Sequence, residues 1–268
     1  MPTKSSMTTR YLEQHAVFTL DEFLSDVDNN VSNSTRYTNL RNAVEREQAR
    51  RLTRGLYASN MGPYRDRTPR AALVAAKSAP DAVLAYHTAL EAHGVAHSVS
   101  RRVLFVSGRR VSMFTVDGYR FERVAPPKRL AGPYAEPPYV QLVRVGDDLV
   151  TVTTPERTLV DCLMRLDLAG GLEETLRSVG GFPNMGSGRV AEYVSALGSP
   201  TAAARAGWLL ELGRQMWHVS EPDLDRLRTM AGRGPHRLTP GSTPSAEFIA
   251  AWRLYAPTGL PYEEWIRS

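Results

Sequence analysis

Cysteine is almost absent from this chain. Its 268 residues include one, Cys162, so no internal disulfide can form and the sequence predicts a protein of the reducing cytoplasm. No apolar run approaches the roughly 20 residues that a bilayer span requires. The opening Met-Pro-Thr-Lys-Ser-Ser lacks the apolar core of a secretory signal, so no membrane partner is expected. A Gly-x4-Gly-Lys-Ser/Thr phosphate loop is missing too. Gly186-Ser187-Gly188 is too short and has no strand ahead of it, so it reads as a turn. Low-complexity tracts and internal repeats are lacking, which excludes fibrous and solenoid architectures.

What is present is positive charge in two places. Residues 33–70 carry nine Arg and three acids, a balance of +6, and residues 99–130 carry eight Lys/Arg and two acids, again +6. The whole chain has a net charge of +5, so the remainder sums to −7. Two basic segments on an otherwise acidic chain favour a polyanionic partner. Single cores stop growing near about 250 residues, so two domains are expected, split at the polar, Pro-terminated Tyr64–Pro69 stretch into residues 1–66 and 67–268.

The first 60 residues read as a DNA-binding head. Residues 7–15 form a short helix with Tyr11 and Leu12 on its apolar side. Thr19-Leu20-Asp21-Glu22 is a capping box, opening a helix whose stripe is Leu20, Phe23, Leu24 and Val27 and which Asn29-Asn30 ends. Ser32 to Thr35 starts a third helix with Tyr37, Leu40 and Val44 at inward spacing. Its opposite face offers Ser34, Thr35, Arg36, Thr38, Asn39, Arg41 and Asn42, side chains able to bond base edges or phosphates. Residues 49–59 read as a wing: Leu52, Leu56 and Tyr57 pack, Gly55 turns, and Arg50, Arg51 and Arg54 face out. A winged helix-turn-helix is predicted; the alternative is a three-helix bundle with a surface hairpin.

The second domain is expected to be mixed, giving an α+β fold overall. Residues 70–79 and 85–93 read as helices. Short antiparallel strands follow at 103–106, 111–116, 119–124, 140–145 and 149–152, the first three broken by Gly108-Arg109-Arg110 and Asp117-Gly118 turns. A helix opens at Thr154-Pro155-Glu156-Arg157 and runs through Leu166, and the last hundred residues are mostly helical, with Pro-rich extended pieces near 235–245 and 256–262. Arg101, Arg102, Arg109 and Arg110 form a secondary basic patch that either extends a DNA footprint, faces an acidic partner or is merely solvated.

Catalytic patterns are weak. His93 and His97 are four apart, but Gly94 ends the helix between them, so no metal site is expected. His87 reads as a structural histidine. Glu156 and Asp161 are five apart and fall on different helix faces, Glu156 suiting the helix start. Cys162 lies on an apolar stripe. A nuclease would need acids with a lysine near the strands; Asp147 and Asp148 sit in a turn, with Lys128 the nearest lysine. Neither enzymatic activity nor a cofactor is expected.

Five segments in order carry a resemblance: the winged head, Tyr86-His87-Thr88-Ala89-Leu90-Glu91-Ala92-His93-Gly94, Thr154-Pro155-Glu156-Arg157-Thr158-Leu159-Val160-Asp161, Leu168-Ala169-Gly170-Gly171, and Ala206-Gly207-Trp208-Leu209-Leu210-Glu211. Together they resemble the AbiEi family, antitoxins of type IV toxin–antitoxin systems, above all its actinobacterial members. The resemblance covers nearly the whole chain, and the Thr-Pro-Glu-Arg-Thr-Leu-x-Asp block is its most specific piece. It implies a winged helix that binds inverted repeats in the operon's own promoter and represses it. It also implies a C-terminal antitoxin domain that counters a cognate AbiEii-type nucleotidyltransferase toxin without needing a stable complex. DNA contact carries over to the outward face of the 34–46 helix and to the wing arginines. A stand-alone winged-helix regulator, with a ligand-sensing or oligomerising second domain, is the alternative.

Overall fold

The computed structural model describes residues 7–27, 30–130, 139–241 and 245–267. The opening hexapeptide and Asn29 lie outside the described residues. The chain adopts a mixed α+β fold.

The head comprises α1 (Met7–Gln14), β1 (Val17–Thr19), α2 (Leu20–Asp26), α3 (Asn33–Glu45), β2 (Ala49–Thr53) and β3 (Leu56–Ser59). The expected capping box opens α2: Thr19 Oγ1 accepts from the Glu22 amide at 3.1 Å, and Glu22 Oε2 accepts from the Thr19 amide at 2.8 Å. Gly55, at φ 75°, supplies the left-handed residue that lets β2 turn into β3. β1 pairs with β3 on the side away from β2, giving the antiparallel order β1-β3-β2.

Strand alternation gives this small sheet two packed faces. Phe18, Tyr57 and Ala49 pack with Tyr11, Leu12, Phe23 and Leu40 of the helices. Tyr11 meets Phe18 and Phe23 edge-on at 5.4 and 5.2 Å. Val17, Leu56 and the partly buried Leu52 face the other way and join Leu73, Val74, Phe105 and Phe121 of the body. Each fully buried side chain of this size contributes about 1.5–3 kcal/mol. The head sheet is therefore a wall shared by two cores. The 65–68 stretch beside it is exposed, and two ion pairs, Lys77 with Glu22 and Arg50 with Asp117, cross between head and body.

The body continues with α4 (Ala71–Ala76), β4 (Val83–Leu84), α5 (His87–Ala92), β5 (Arg102–Val106), β6 (Phe114–Val116), β7 (Tyr119–Val124), β8 (Val140–Val145) and β9 (Asp148–Thr153). These strands form one six-stranded sheet, order β6-β7-β5-β4-β9-β8. The expectation of antiparallel strands throughout needs correction: β5 runs parallel to β7, and β4 parallel to β9. No sequence pattern announces β4. This two-residue strand bonds to both β5 and β9 and so joins two otherwise separate groups of strands. β6 starts at Phe114 rather than Val111, because Ser112 and Met113 lie exposed outside the ladder. Asp117 and Gly118, at φ 51° and 78°, make the tight hairpin turn into β7.

The remainder is α6 (Pro155–Met164), α7 (Leu172–Gly180), α8 (Ser187–Leu197), α9 (Pro200–Leu212), α10 (Glu221–Ala231), β10 (His236–Arg237), β11 (Ala246–Ile249), β12 (Leu254–Pro257) and α11 (Tyr262–Arg267). Gly186-Ser187-Gly188, expected as a turn, instead opens α8, where Ser187 Oγ donates to Asp223 at 2.6 Å. α9 is the buried axis of this layer. A Cβ on its Gly207 would stand 2.0 Å from the Trp252 ring, so only glycine lets that indole seat against the helix.

Candidate nucleic-acid interface

Ser32 caps α3, its Oγ accepting from the Thr35 amide at 3.2 Å. The helix then presents a different face from the one its sequence predicts. Arg36, Leu40 and Ala43 are buried, while Tyr37 is 52% exposed. Arg36, expected to point outward, is the clearest correction. Its guanidinium instead reaches the Leu24 carbonyl near the end of α2 and donates to Asn33 Oδ1 at 3.2 Å. A cation is favourable at the carbonyl end of a helix, and its aliphatic stem fills apolar space.

With that phase the outward row of α3 is Ser34, Tyr37, Thr38, Arg41 and Glu45, with Thr35 beside it. The spacing is i, i+3, i+4, i+7. Asn39 and Asn42 sit half-buried on the flanks. Thr38 Oγ1 donates back to the Ser34 carbonyl at 3.0 Å, and Arg41 lies 3.5 Å from Glu45. Tyr37 is thus not a core residue, although an aromatic at helical spacing usually packs. The small Ala43 is the available sign in the sequence that the inward row lies elsewhere.

The hairpin arginines divide in the same way as the sheet. Arg51 lies on the α3 side, with Tyr37, Leu40, Arg41, Val44 and Tyr57 lining a shallow groove of about 160 Å³. Its Nε donates to the Thr53 carbonyl at 3.2 Å. Arg54 is exposed beside the turn. Arg50, one residue before Arg51, points to the opposite face and grips Asp117 of the β6–β7 turn with both guanidinium nitrogens, Nη1 to Oδ1 at 2.8 Å. Adjacent strand residues cannot share a face, so the expected trio of outward wing arginines is split, with Arg50 exposed on the face opposite Arg51. In the sequence Asp117 reads only as a turn residue.

The hydrogen bond from Arg50 holds the Asp117 carboxyl below the usual carboxylate range. A carboxyl lowered on folding contributes stability above its unfolded value, and that contribution is lost as pH falls through the folded one. The pair is partly exposed, 47% and 24%, so Asp117→Asn is expected to cost under about 1 kcal/mol at pH 7. In urea titrations the gap between variant and wild type should close as pH falls below the ordinary carboxylate range of about 4. A gap of constant size down to pH 2 would contradict this account.

Of the secondary patch, Arg102 is committed: Nε and Nη2 donate to Glu122 Oε2 at 2.9 and 2.7 Å, and Nη1 to the Asp167 carbonyl at 3.0 Å. Arg101, Arg109 and Arg110 are exposed, with Arg101 against Gly118 beside the Arg50–Asp117 pair. Arg109 lies near Asp81. Partial burial opposes the charge of that carboxylate, but Ser107, the Gly108 amide and the Arg109 charge together lower its pKa.

The Thr154–Asp161 block is interior. Arg157 and Asp161 are 3% and 5% exposed, with Nε to Oδ2 at 3.1 Å, and Tyr193 donates to Asp161 Oδ1 at 2.6 Å. Although burial works against its charge, Asp161 keeps Arg157 above its ordinary pKa. Thr158 and Thr153 hydroxyls meet at 2.6 Å, tying the end of β9 to α6. Glu156, expected at the helix start, is in the first turn of α6 but buried, paired with Arg189 at 2.6 Å. Cys162 is fully buried and its thiol is pushed up by that burial. His93 bonds the Thr153 carbonyl at 2.7 Å, while the His97 amide donates to Ser178. His87 is buried between Glu91 and Glu174, at 3.6 and 3.3 Å. Among the described residues no cluster of three His, Cys, Asp or Glu side chains is placed to hold a metal ion.

No family model matches the chain, and no curated protein does. Among solved structures, the crystal structure of the Rv2827c protein from Mycobacterium tuberculosis is similar to it, with a TM-score of 0.55 at 14% identity. The match covers 93% of this chain and 89% of that one. Over nearly its full length, then, this chain has the overall fold of a mycobacterial protein with which it shares 14% of aligned residues.

Proposed function

We propose that this protein is a DNA-binding repressor of its own operon, acting as the antitoxin of a type IV toxin–antitoxin pair. The observation that carries the DNA reading is the outward row Ser34, Tyr37, Thr38 and Arg41 beside Arg51 and Arg54. Hydroxyls and an aromatic ring on that row suit contact with base edges, and the cations beside it suit phosphates. The order helix, strand, helix, helix, hairpin, with β1 added to the hairpin, supports a winged helix-turn-helix. The antitoxin role rests on the AbiEi resemblance. In that reading the toxin is an AbiEii-type nucleotidyltransferase, countered by the body without a lasting complex, and the work is done in the cytoplasm.

A gel shift on the DNA upstream of the gene, across a salt series, tests the regulator reading. Three phosphate-bound cations, Arg41, Arg51 and Arg54, give a log–log salt slope of about −3 for each bound head. A complex that survives unrelated competitor DNA and shows that slope supports the proposal. Binding indifferent to sequence overturns it. Co-expression with the toxin then separates the two halves: growth rescue supports the antitoxin, and repression without rescue points to a stand-alone regulator.

A further inference from the structure

The small sheet β10-β12-β11 presents one row of side chains that neither the core nor the proposed DNA interface uses. Arg237 is in register with Tyr255, and Tyr255 with Phe248, so the three stand side by side across all three strands. The opposite face of the sheet is buried through His236, Leu254 and Ala256. The row itself faces water: Phe248 is 49% and Tyr255 36% exposed. The two rings are 5.0 Å apart and inclined at 47°, and the Arg237 guanidinium lies 5.6 Å from the Tyr255 centroid.

Along the segment that carries the row, charge is one-sided. Residues 231–260 contain Arg233, Arg237 and Arg253 against a single acid, Glu247. Alternation turns Glu247 away from the row, towards Tyr262, whose pKa burial raises first and the Glu247 charge second. Arg253 lies against Gly234, and both Arg233 and Arg253 are exposed.

We propose that Phe248, Tyr255 and Arg237 form a stacking platform for unpaired bases of a single-stranded nucleic acid, with Arg233 and Arg253 on its phosphates. Exposed aromatics on the open face of a sheet, with arginines beside them, offer what a single strand needs: flat apolar surface for the bases and cations for the backbone. A duplex cannot use such a row, because its bases are already stacked inside. Rings on adjacent strands take successive bases, and the guanidinium extends the stacking surface.

The test uses the full chain and a fluorescein-labelled twelve-nucleotide oligo(A), as RNA and as DNA, with anisotropy as readout. Wild type is expected to bind, and Phe248→Ala/Tyr255→Ala to weaken binding at least tenfold. Tyr255→Phe, which keeps the ring, should stay within about twofold, and Phe248→Leu, which keeps bulk but not the ring, should lose several-fold. Arg41→Ala/Arg51→Ala in the head should leave single-strand binding unchanged. The proposal is overturned if wild type binds neither oligonucleotide, if removing both rings changes nothing, or if the loss follows the head arginines instead. RNA bound in preference to DNA would identify a 2′-hydroxyl contact within the same site.

Discussion

Arg41→Ala/Arg51→Ala is expected to lower affinity for the operator by two to three orders of magnitude. The two side chains line the same groove, one from α3 and one from the hairpin. Removing a cation that holds a phosphate should flatten the salt slope by about one. A bidentate bond to a base is worth about 1–3 kcal/mol, and its removal would weaken specificity as well as affinity. Fluorescence anisotropy at two salt concentrations separates the cases. A uniform loss across sequences with a slope reduced by about two means both arginines hold phosphates. A loss confined to the cognate sequence means that Arg41 reads a base. Arg36→Ala is expected to behave differently. That side chain touches the Leu24 carbonyl and Asn33, so its removal should cost about 1–3 kcal/mol of stability. A lower melting temperature, with the folded fraction still binding DNA, is the expected signature. Full stability with abolished binding would put Arg36 back in the interface.

Asp161→Ala is expected to destabilise the protein by about 3–5 kcal/mol, the usual consequence of breaking a buried ion pair by removing one member. The variant would leave Arg157 without its 3.1 Å partner and the Tyr193 hydroxyl without its 2.6 Å acceptor, both deep in the body. Urea unfolding measures the loss directly. The double variant Arg157→Met/Asp161→Leu should recover much of it, since replacing both members of a buried pair by apolar groups of similar size is often close to neutral. Should Asp161→Ala prove nearly silent in urea yet abolish toxin rescue, the block would be a working surface rather than a joint. Its burial argues for the joint. The most specific sequence feature of this chain therefore builds its core, by locking the end of the main sheet to α6 and α8.

Features held by local chemistry are legible in the sequence. The Thr19–Glu22 capping box, the Ser32 cap, the Gly55 turn and the Asp117-Gly118 turn depend on neighbours within four residues, and each stands where expected. The three helices of the head and the one opening at Thr154 are legible for the same reason. Features settled by distant partners are not. The phase of α3 depends on an arginine whose charged end finds a carbonyl twelve residues away. That Arg50 turns from the α3 side to the body depends on Asp117, 67 residues on. Two-residue β4 has no periodicity to read, yet it joins the two groups of strands into one sheet. In the candidate interface the residue types are those expected, and one helix row is displaced: Tyr37 replaces Arg36, while Arg41, Thr38 and Arg51 keep their places.

The head sheet, apolar on both sides, makes this protein a poor source of interchangeable parts. A fragment ending at residue 66 would leave Val17, Leu52 and Leu56 facing water, an adhesive surface rather than a finished domain. Grafting the reading helix onto another body would require recutting that surface to fit. In the proposed DNA complex the same rigidity would act at the operator. The aim of α3 is fixed through the head sheet that stands between it and the body, so in that complex two copies on inverted repeats would keep one angular relation. Half-sites moved apart by a full helical turn of about 10.5 base pairs should remain acceptable, while a shift of half a turn would place one head on the wrong side of the duplex.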